Sequence, residues 1–485
     1  MELNKLTIEE AREKLDKREI SARQLTEACL AKIFSDNQEL NACLTVCAPE
    51  ALAAADAADK RLENGEKGGL LGIPYLCKDN LMTKGIRTTA ASKILGNYVA
   101  PYDATVVDRL KKAGAVLLGK TNLDEFAHGA STENSAFGPT KNPHDLSRVP
   151  GGSSGGSAAA VSADMCLFAL GSDTGGSIRQ PASFCGVVGL KPSYGRVSRF
   201  GLLSMTSSTD VVGPLTKTAQ DAAFVLKVIA GHDAKDATTA HEAVEHYDTV
   251  LGKQDLRGLK IGLPKEYFPS ELDASISQGL KGIARQMAAA GAEVKEVSLP
   301  FTKYGIPVYY IITPSEISSN LARFDGIGWG LAQHEAADLK DFYQLNRGDG
   351  FGSEVKRRVM LGTYALSSGY YDAYYKKAQA VRTLIIQDFA RAFQEVDLLL
   401  TPSSPHPAFK IGEQANNPLA MYLEDIFVTG ASLAGLPAIS LPMGEVLAGD
   451  KSLPIGAQLI GPRLAEGSVL RAAGFIERIV KNNKE

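Results

Sequence analysis

The chain has 485 residues, of which 44% are hydrophobic and 22% are charged. These values are typical of a globular protein and exclude a disordered, collagen-like or disulfide-stapled chain. Its 52 Lys and Arg residues are balanced by 55 Asp and Glu residues, so the basic surplus typical of nucleic-acid binders is absent from the sequence. Any RNA is therefore expected to be held by another chain.

The sequence carries no predicted targeting or membrane segment. Its N-terminal stretch contains acidic residues and no apolar core, which is untypical of a signal or transit peptide. No run of about 18 apolar residues occurs, so no membrane-spanning helix is predicted. The six cysteines are scattered without a CxxC pair and are expected to be buried thiols in a reducing compartment. We therefore predict a cytoplasmic protein.

The first part of the chain is predicted to be mainly helical. Residues 7–10 and 21–24 both match the capping-box pattern, in which a hydroxyl and a later acid or amide satisfy free amides at a helix start. Residues 40–46 alternate roughly between apolar and polar side chains and indicate a short strand. Residues 49–64 are rich in alanine, begin with proline and are followed by glycine, which indicates a helix.

Apolar runs then alternate with helical patterns. Residues 71–77 and 115–118 are apolar and indicate buried strands, and Asp103 between them is expected to cap a helix. Short strands at residues 259–263 and 397–400 alternate with later helices. This alternation indicates an α/β protein with a largely parallel or mixed sheet. Because no linker interrupts it, we predict one large domain.

Two motifs suggest ligand sites that the surrounding sequence does not support. Residues 114–121 match the Walker A pattern, but a phosphate loop must follow a strand, and the four middle residues here indicate the strand itself. A nucleotide-binding protein that uses this segment is kept as a rival hypothesis. His241 and His246 are five apart, whereas a zinc motif needs a spacing of four on one helix face. A solvated helix is therefore favoured and no metal site is predicted.

The segment 150–157 is rich in glycine and serine and contains GxSxG in two registers. In an α/β-hydrolase, Ser153 or Ser154 would be the nucleophile on a strand-to-helix turn, with a histidine as base. No convincing strand precedes the segment, because residues 142–145 indicate a turn. So many glycines cost chain entropy, which favours a functional loop over a plain connector.

A second glycine-rich segment follows at residues 171–179. Gly175 and Gly176 leave backbone amides unshielded directly before Ser177, which suits an oxyanion hole. Lys78 ends an apolar run, so it is either an ordinary surface lysine or a desolvated base whose pKa has fallen by about 3 units. From spacing alone, both interpretations of Lys78 stay open.

Several stretches together resemble the amidase signature family over nearly the whole chain. They are residues 72–79, 114–122, 151–161, 171–182 and 186–192. The resemblance implies a Ser-Ser-Lys triad without histidine, in which Ser177 is the nucleophile, Ser153 the bridging serine and Lys78 the base. It also implies a cis peptide bond before Ser153. The implied oxyanion hole comprises Thr174, Gly175 and Gly176.

The family resemblance also implies the fold, a single large α/β domain with a central mixed β-sheet surrounded by helices. Within that domain we expect an N-terminal helical region (1–65) and a catalytic signature core (66–220). The remainder of the sheet and a glutamine-binding, helical region would follow (221–485).

The C-terminal half is further similar to the glutaminase subunits of tRNA-dependent amidotransferases. The similarity rests on residues 318–327, 352–362, 367–377 and 421–425. It implies a pocket for free glutamine, in which Arg358 binds the α-carboxylate and Asp425 binds the ammonium group. Arg357 is the alternative to Arg358, and Ala130 departs from the glycine or serine usual in the family. The pocket is further implied to include Ser131 and Tyr309.

The same similarity implies a glutaminase that passes ammonia to a partner, in a heterotrimer with amidotransferase subunits B and C. The partner would use ATP and Mg²⁺ to convert Glu-tRNA(Gln) to Gln-tRNA(Gln), a ligase reaction of protein biosynthesis. This chain would need no cofactor and no metal of its own. A stand-alone amidase acting on a small carboxamide is the main rival, because it would share the triad without needing Arg358 and Asp425 together.

Overall fold

The computed structural model describes residues 2–249, 256–332 and 335–482. Within these ranges eleven strands belong to one sheet. They are β1 (Cys43–Val46), β2 (Pro74–Lys78), β3 (Val116–Thr121), β4 (Phe168–Asp173), β5 (Val188–Lys191), β6 (Val211–Thr216), β7 (Lys260–Pro264), β8 (Glu293–Val297), β9 (Leu398–Pro402), β10 (Ala438–Ala448) and β11 (Lys451–Ile460). Their order across the sheet is β1-β3-β2-β4-β6-β5-β10-β11-β9-β7-β8.

The strands pair in both directions, as predicted for a mixed sheet. β2 lies parallel to β3 and β4, and β7 lies parallel to β8 and β9. The remaining pairs are antiparallel. β2, β4, β5, β6 and β9 are buried along their whole length, which is the pattern of strands covered on both faces.

Helices flank this sheet. Those that precede β7 are α1 (Ile8–Asp16), α2 (Ala22–Leu40), α3 (Ala48–Glu63), α4 (Thr105–Lys112), α5 (Gly155–Ser162), α6 (Arg179–Cys185) and α7 (Ala219–Ile229). Those that follow it are α8 (Ala274–Ala289), α9 (Gly305–Asn320), α10 (Leu339–Gly350), α11 (Ser353–Leu366), α12 (Lys377–Glu395), α13 (Pro418–Leu423), α14 (Thr429–Leu433) and α15 (Glu466–Asn482). A π-helical turn (Asp372–Lys376) precedes α12, and short 3₁₀ turns connect several of the other elements.

One hydrophobic core joins the two halves of the chain. It extends from Ile8 in α1 to Ile476 in α15. Because β5 pairs with β10, strands from both halves lie in the same sheet. The prediction of a single domain is therefore confirmed, whereas its division at residues 65 and 220 stays a prediction.

Local sequence signals identified the first helices well. Thr7 and Ser21 each accept a hydrogen bond from the backbone amide three residues later, so both predicted capping boxes are formed. The strand expected at residues 40–46 is shorter, because α2 continues to Leu40. The start of α4, by contrast, was predicted at the wrong residue.

Asp103 does not cap α4. The residue that precedes this helix is Ala104, which forms no side-chain cap. Asp103 instead accepts a hydrogen bond from the amide of Lys84 at 2.7 Å, so its carboxylate is used by a neighbouring loop. The helix start was therefore predicted one residue too early.

The two misleading motifs have structural explanations. The Walker-like segment contains β3, and its Lys120 is fully buried with Nζ 3.3 Å from a carboxylate oxygen of Asp79. The segment is therefore a strand, as interpreted. The helix expected around His241 was wrong, because the carbonyl groups of Glu242 and Ala243 accept hydrogen bonds from the Arg196 side chain instead of from helix amides.

Three further properties concern the described part of the chain. No cluster of His, Cys, Asp and Glu there is able to hold a metal ion. No helix among these residues combines the length and apolar character needed to cross a membrane. All six cysteines are buried free thiols, as predicted.

Candidate active site

Lys78 is the last residue of β2, between the parallel strands β3 and β4. Its ammonium group is fully buried, which lowers the pKa of Lys78 to about 7. Asp124, Asp173 and Asp210 oppose this effect only in part. The interpretation as a desolvated base is therefore favoured over an ordinary surface lysine.

Three serine hydroxyls surround the Lys78 amine. Nζ lies 2.8 Å from Ser153 Oγ, 2.7 Å from Ser154 Oγ and 3.0 Å from Ser172 Oγ. The Ser154 hydroxyl also donates to the carbonyl of Ser172 at 3.1 Å, so its proton is engaged. The Ser153 hydroxyl has no other hydrogen-bond partner within the described residues, so it is free to exchange a proton with Nζ.

Ser153 lies in a tight loop before α5. The peptide bond between Gly152 and Ser153 is cis, and the Ser153 carbonyl accepts a hydrogen bond from the amide of Asp124 at 3.3 Å. No strand leads into this loop, as the sequence predicted, so the strand-to-helix turn of an α/β-hydrolase is not formed. Among the histidines that the structure describes, none hydrogen-bonds to Ser153 or to Ser177.

Ser177 lies between β4 and α6, next to the Ser153 loop. Its carbonyl accepts a hydrogen bond from the amide of Ser154 at 3.1 Å, which joins the two glycine-rich segments. Within the described residues no hydrogen bond joins Ser177 Oγ to Ser153 Oγ. Ser177 is buried but retains 6% exposure, whereas Lys78 and Ser153 have none.

A buried ion pair supports the turn that precedes Ser177. Arg179 binds both carboxylate oxygens of Asp173, with both distances 3.0 Å. Burial alone would raise the pKa of Asp173, but Arg179 brings it below its ordinary value. Asp173 also accepts from the amides of Gly176 at 2.9 Å and Ile178 at 3.2 Å. The turn is thus held by one charged carboxylate.

Of the three predicted oxyanion residues, Gly176 has its amide engaged with Asp173. The amides of Thr174 and Gly175 have no hydrogen-bond acceptor within the described residues. The Thr174 hydroxyl donates to Asp210 at 2.7 Å, and this bond orients the start of the turn. Two backbone amides near Ser177 therefore have no acceptor within the described part of the protein.

Tyr309 and Asp425 lie against the same turn. A Cβ placed on Gly175 would be 2.6 Å from the Tyr309 ring, so only glycine allows this approach. A Cβ on Gly176 would be 3.2 Å from Asp425 Oδ1. Tyr309 and Asp425, two of the four predicted pocket residues, therefore lie against the turn that precedes the predicted nucleophile.

Asp425 is a buried acid with an unpaired oxygen. Its Oδ1 atom is buried and has no hydrogen-bond partner. Burial, with Asp173 and Glu424 nearby, raises the pKa of Asp425 well above its ordinary value, and Arg358 opposes this rise. A cation beside Asp425 would relieve the cost of its charge.

Arg358 projects from the second turn of α11. Its Nε donates to Glu354 at 2.8 Å, and its guanidinium lies 5.1 Å from the Tyr310 ring centre and 5.7 Å from that of Tyr422. Neither Nη atom has a hydrogen-bond acceptor within the described residues. Arg358 therefore keeps a two-pronged donor for an incoming carboxylate.

The choice between the two arginines follows from exposure. The Arg358 side chain is 4% exposed, whereas that of Arg357 is 45% exposed. Arg358 and Ser131 both line a cavity of about 290 Å³, which Tyr422 and Met421 also border. Arg357 borders the same cavity, but its exposure and its ion pair with Glu354 favour Arg358 as the buried cation.

Several groups at the site were not assigned from the sequence. Ser154 and Ser172 contact Lys78, Arg179 holds Asp173, and Glu354 orients Arg358. Asp173 and Arg179 lie inside a segment that the sequence singled out, but a charge pair six residues apart carries no signal that both partners are buried. The buried Ala130 contacts the site through its carbonyl, which accepts from Gln180 at 3.0 Å.

Known proteins that resemble this chain in sequence or structure include amidases and amidotransferase subunits. A family model described as Amidase matches residues 24–470. The chain belongs to the amidase family. This amidase is 54% identical, over 485 residues, to the A subunit of glutamyl-tRNA(Gln) amidotransferase from Carboxydothermus hydrogenoformans, covering 100% of this chain and 99% of that protein.

Solved amidase structures share the fold. The A subunit of glutamyl-tRNA(Gln) amidotransferase from Thermotoga maritima is 43% identical, with a TM-score of 0.78 over 99% of this chain and 95% of that one. The peptide amidase of Stenotrophomonas maltophilia is 30% identical, with a TM-score of 0.82 over 98% and 97%. The expected amidase fold is therefore confirmed.

Proposed function

We propose that this amidase is the glutaminase subunit of a tRNA-dependent amidotransferase and hydrolyses glutamine to glutamate and ammonia. Two observations together carry the proposal. The two Nη atoms of Arg358 have no acceptor within the described residues, and the buried Oδ1 atom of Asp425 has no hydrogen-bond partner. The full-length similarity to the A subunits of glutamyl-tRNA(Gln) amidotransferases supports the same substrate.

Free glutamine is a zwitterion, and its two charged groups match this pair. The α-carboxylate would accept two hydrogen bonds from Arg358, and the α-ammonium would bind Asp425. The ammonium charge would keep Asp425 ionised, against the effect of burial. Tyr309 and Ser131 would enclose the side chain of the substrate, so that its carboxamide reaches Ser177.

The proposed reaction begins with neutral Lys78. It accepts a proton from Ser153, which in turn takes the proton of Ser177, and Ser177 Oγ attacks the carboxamide carbon. The amides of Thr174 and Gly175 would bind the oxyanion, whereas the amide of Gly176 holds the turn through its hydrogen bond to Asp173. Each oxyanion donor is typically worth about 3 kcal/mol.

The tetrahedral intermediate then collapses. The relay returns the proton to the amide nitrogen, the C–N bond breaks, and ammonia leaves an acyl ester on Ser177. A water molecule, deprotonated through the same relay, attacks this ester and releases glutamate. Ser177 recovers its proton, so the triad returns to its starting state.

The acceptor reaction would belong to partner chains. We assign this amidase to a cytoplasmic heterotrimer with amidotransferase subunits B and C, in which a partner uses ATP and Mg²⁺ to activate the glutamate on Glu-tRNA(Gln). Ammonia from this chain would then form the new C–N bond of Gln-tRNA(Gln), which makes the complex a ligase.

Ammonia release from L-glutamine tests the proposal. The chain, co-purified with its partners, is compared with the same preparation carrying Ser177→Ala. Release that is lost in the variant is the expected result. A folded preparation that cleaves 4-nitroacetanilide but releases no ammonia above the Ser177→Ala level would instead support the stand-alone amidase.

A further inference from the structure

A buried carboxylate outside the triad connects the catalytic core to the helix that carries Arg358. Glu125 is only 2% exposed and follows Asp124, whose amide donates to the Ser153 carbonyl. Its Oε2 atom accepts a hydrogen bond from the amide of Gly352 at 2.8 Å. Gly352 is the residue before α11, and it has no side chain to cap that helix.

Ser92 extends this contact to the preceding helix. Its fully buried hydroxyl hydrogen-bonds to Glu125 and lies 3.1 Å from the carbonyl oxygen of Gly350, the last residue of α10. Glu125 and Ser92 together therefore hold both sides of the corner between α10 and α11. A Cβ on Gly352 would lie 2.5 Å from Glu125 Oε2, so any larger residue there would displace the carboxylate.

The loop that bears Glu125 is itself tightly determined. Phe126 and Ala127 have φ values of 48° and 65°, in the region that non-glycine residues rarely adopt. The Phe126 ring packs 5.8 Å from Phe351 at the same corner and 4.9 Å from Phe324. Hydrogen bonds and aromatic contacts thus fix the corner on the core.

The same loop also borders Arg358. His128 is fully buried, its Nδ1 atom is 2.9 Å from the Glu125 carbonyl, and its Nε2 atom has no partner. Burial first, and Arg358 second, lower the pKa of His128 to about 3, so the ring beside Arg358 is neutral. Gly129, the next residue of this loop, and Arg358 line the same cavity, so the loop and the start of α11 border one pocket.

We propose that Glu125 is a positioning residue for glutamine recognition, which anchors the start of α11 and thereby sets the position of Arg358. Arg358 lies six residues after Gly352, so a shift of the anchored amide moves the guanidinium with the helix. The inference rests on the proposed glutaminase function, because it assumes that Arg358 binds the α-carboxylate. It predicts a selective loss of binding to charged substrates.

Steady-state kinetics of the co-purified complex test this role with two substrates. Glutamine needs Arg358, whereas 4-nitroacetanilide has no α-carboxylate and needs only the triad. In Glu125→Ala we expect the KM for glutamine to rise about tenfold or more with kcat within about threefold, and kcat/KM for 4-nitroacetanilide to be unchanged. Glu125→Gln keeps an acceptor for Gly352 and should restore most of the glutamine KM.

Asp221→Ala is the matched control. Asp221 is likewise a buried carboxyl that accepts from amides at a helix start, those of Ile8 and Glu9 in α1. It lies outside the site, so its substitution should leave the ratio between the two substrates unchanged. If Glu125→Ala does not fold, Ser92→Ala removes the contact with Gly350 and should raise the KM for glutamine to a smaller extent.

Two results would overturn the role of Glu125. One is an unchanged glutamine KM in a folded Glu125→Ala protein, and the other is an equal fall in kcat/KM for both substrates. Failure of the proposed function is recognised separately in the unmodified protein. If that protein cleaves 4-nitroacetanilide but not glutamine, the glutaminase function and this inference both fail.

Discussion

Lys78 is fully buried at the end of a central strand of the sheet, so its amine is shielded from water. The cost of burying a charge there lowers its pKa from an ordinary value of 10.5 to about 7. A lysine with a lowered pKa is neutral over a wider pH range, and only the neutral form accepts a proton. The activity should therefore depend on pH in a defined direction.

We predict that kcat/KM for glutamine falls about tenfold per pH unit below pH 7 and is level above it, because protonation of Lys78 removes the base. The measurement is a pH profile of kcat/KM from about pH 5.5 to about pH 8.5. Lys78→Ala should be inactive throughout. A kcat/KM that still rises about tenfold per pH unit up to pH 8.5, with no level region, would show that the pKa of Lys78 stays near its ordinary value of 10.5 and that Lys78 is not desolvated.

The two neighbouring arginines should differ in their effect on glutamine. Hydrogen bonds to charged groups contribute about 1.5–3 kcal/mol, so Arg358→Ala should lower kcat/KM for glutamine about 10- to 100-fold. Arg357 is half-exposed, and a surface ion pair of this kind contributes at most about 1 kcal/mol, so Arg357→Ala should change it by less than about fivefold.

The comparison is made on glutamine and on 4-nitroacetanilide, whose hydrolysis neither arginine should affect. Equal losses in the two arginine variants would mean that the exposed side chain also contacts glutamine. Glutamine activity that survives Arg358→Ala together with Asp425→Ala would favour the stand-alone amidase.

Arg179 joins the turn between β4 and α6 to other parts of the fold through hydrogen bonds. Besides Asp173, this side chain donates to the carbonyl of Val428 at 2.9 Å, to Ser432 at 2.8 Å and to Gln458 at 2.6 Å. It thus ties the turn before Ser177 to α14 and β11. Loss of Arg179 would leave the charge of Asp173 buried without a partner.

Arg179→Met should lower the thermal unfolding midpoint by several degrees, because breaking a buried pair typically costs about 3–5 kcal/mol. It should also lower kcat, since Asp173 holds the amides of Gly176 and Ile178. Differential scanning calorimetry checks the first effect. Adding Asp173→Asn removes the stranded charge and should recover part of the midpoint. If the double variant is as unstable as the sum of the single losses, the pair is not coupled.

Elements set by local signals were predictable, and those set by distant partners were not. The capping boxes of α1 and α2 involve only residues three apart, and both are formed. Asp103 failed as a cap because the amide of Lys84, nineteen residues earlier, competes for it. The helix expected near His241 failed because Arg196 binds the backbone from another loop.

The same distinction holds for the site. The glycine pattern before Ser177 and the apolar run before Lys78 are local, and family resemblance connected them to Ser153. The hydroxyls of Ser154 and Ser172 around Lys78, and the contact of Glu125 with Gly352, join segments far apart in the chain. Spacing in the sequence holds no information on such pairs until the sheet order is known.

At the scale of the whole molecule, one sheet brings the two halves of the site together. Lys78 ends β2 and Ser177 follows β4, and these strands are neighbours. Asp425 comes shortly before α14 and β10, and β10 pairs with β5, the strand that follows α6. The triad and the proposed glutamine-binding pair are therefore supported by a single structural unit, which explains why no linker separates them.

The charge of the whole chain bears on how tRNA would reach this active site. Binding to nucleic acid depends on Lys and Arg that neutralise phosphates, and each contact makes the affinity more sensitive to salt. This chain has a formal charge of −3 and a pI of about 6.2, so it has no surplus of cations to supply such contacts. We predict that the isolated chain does not bind tRNA(Gln) measurably at physiological salt, whereas the co-purified complex does.

Filter binding of labelled tRNA(Gln) to the isolated chain and to the complex, over a series of salt concentrations, checks this prediction. The complex should show an affinity that falls steeply with salt, because its cations come from the partner chains. Tight, salt-dependent binding by the isolated chain would require a local cluster of phosphate contacts on its own surface. It would then follow that tRNA contacts the glutaminase directly and not only through its partners.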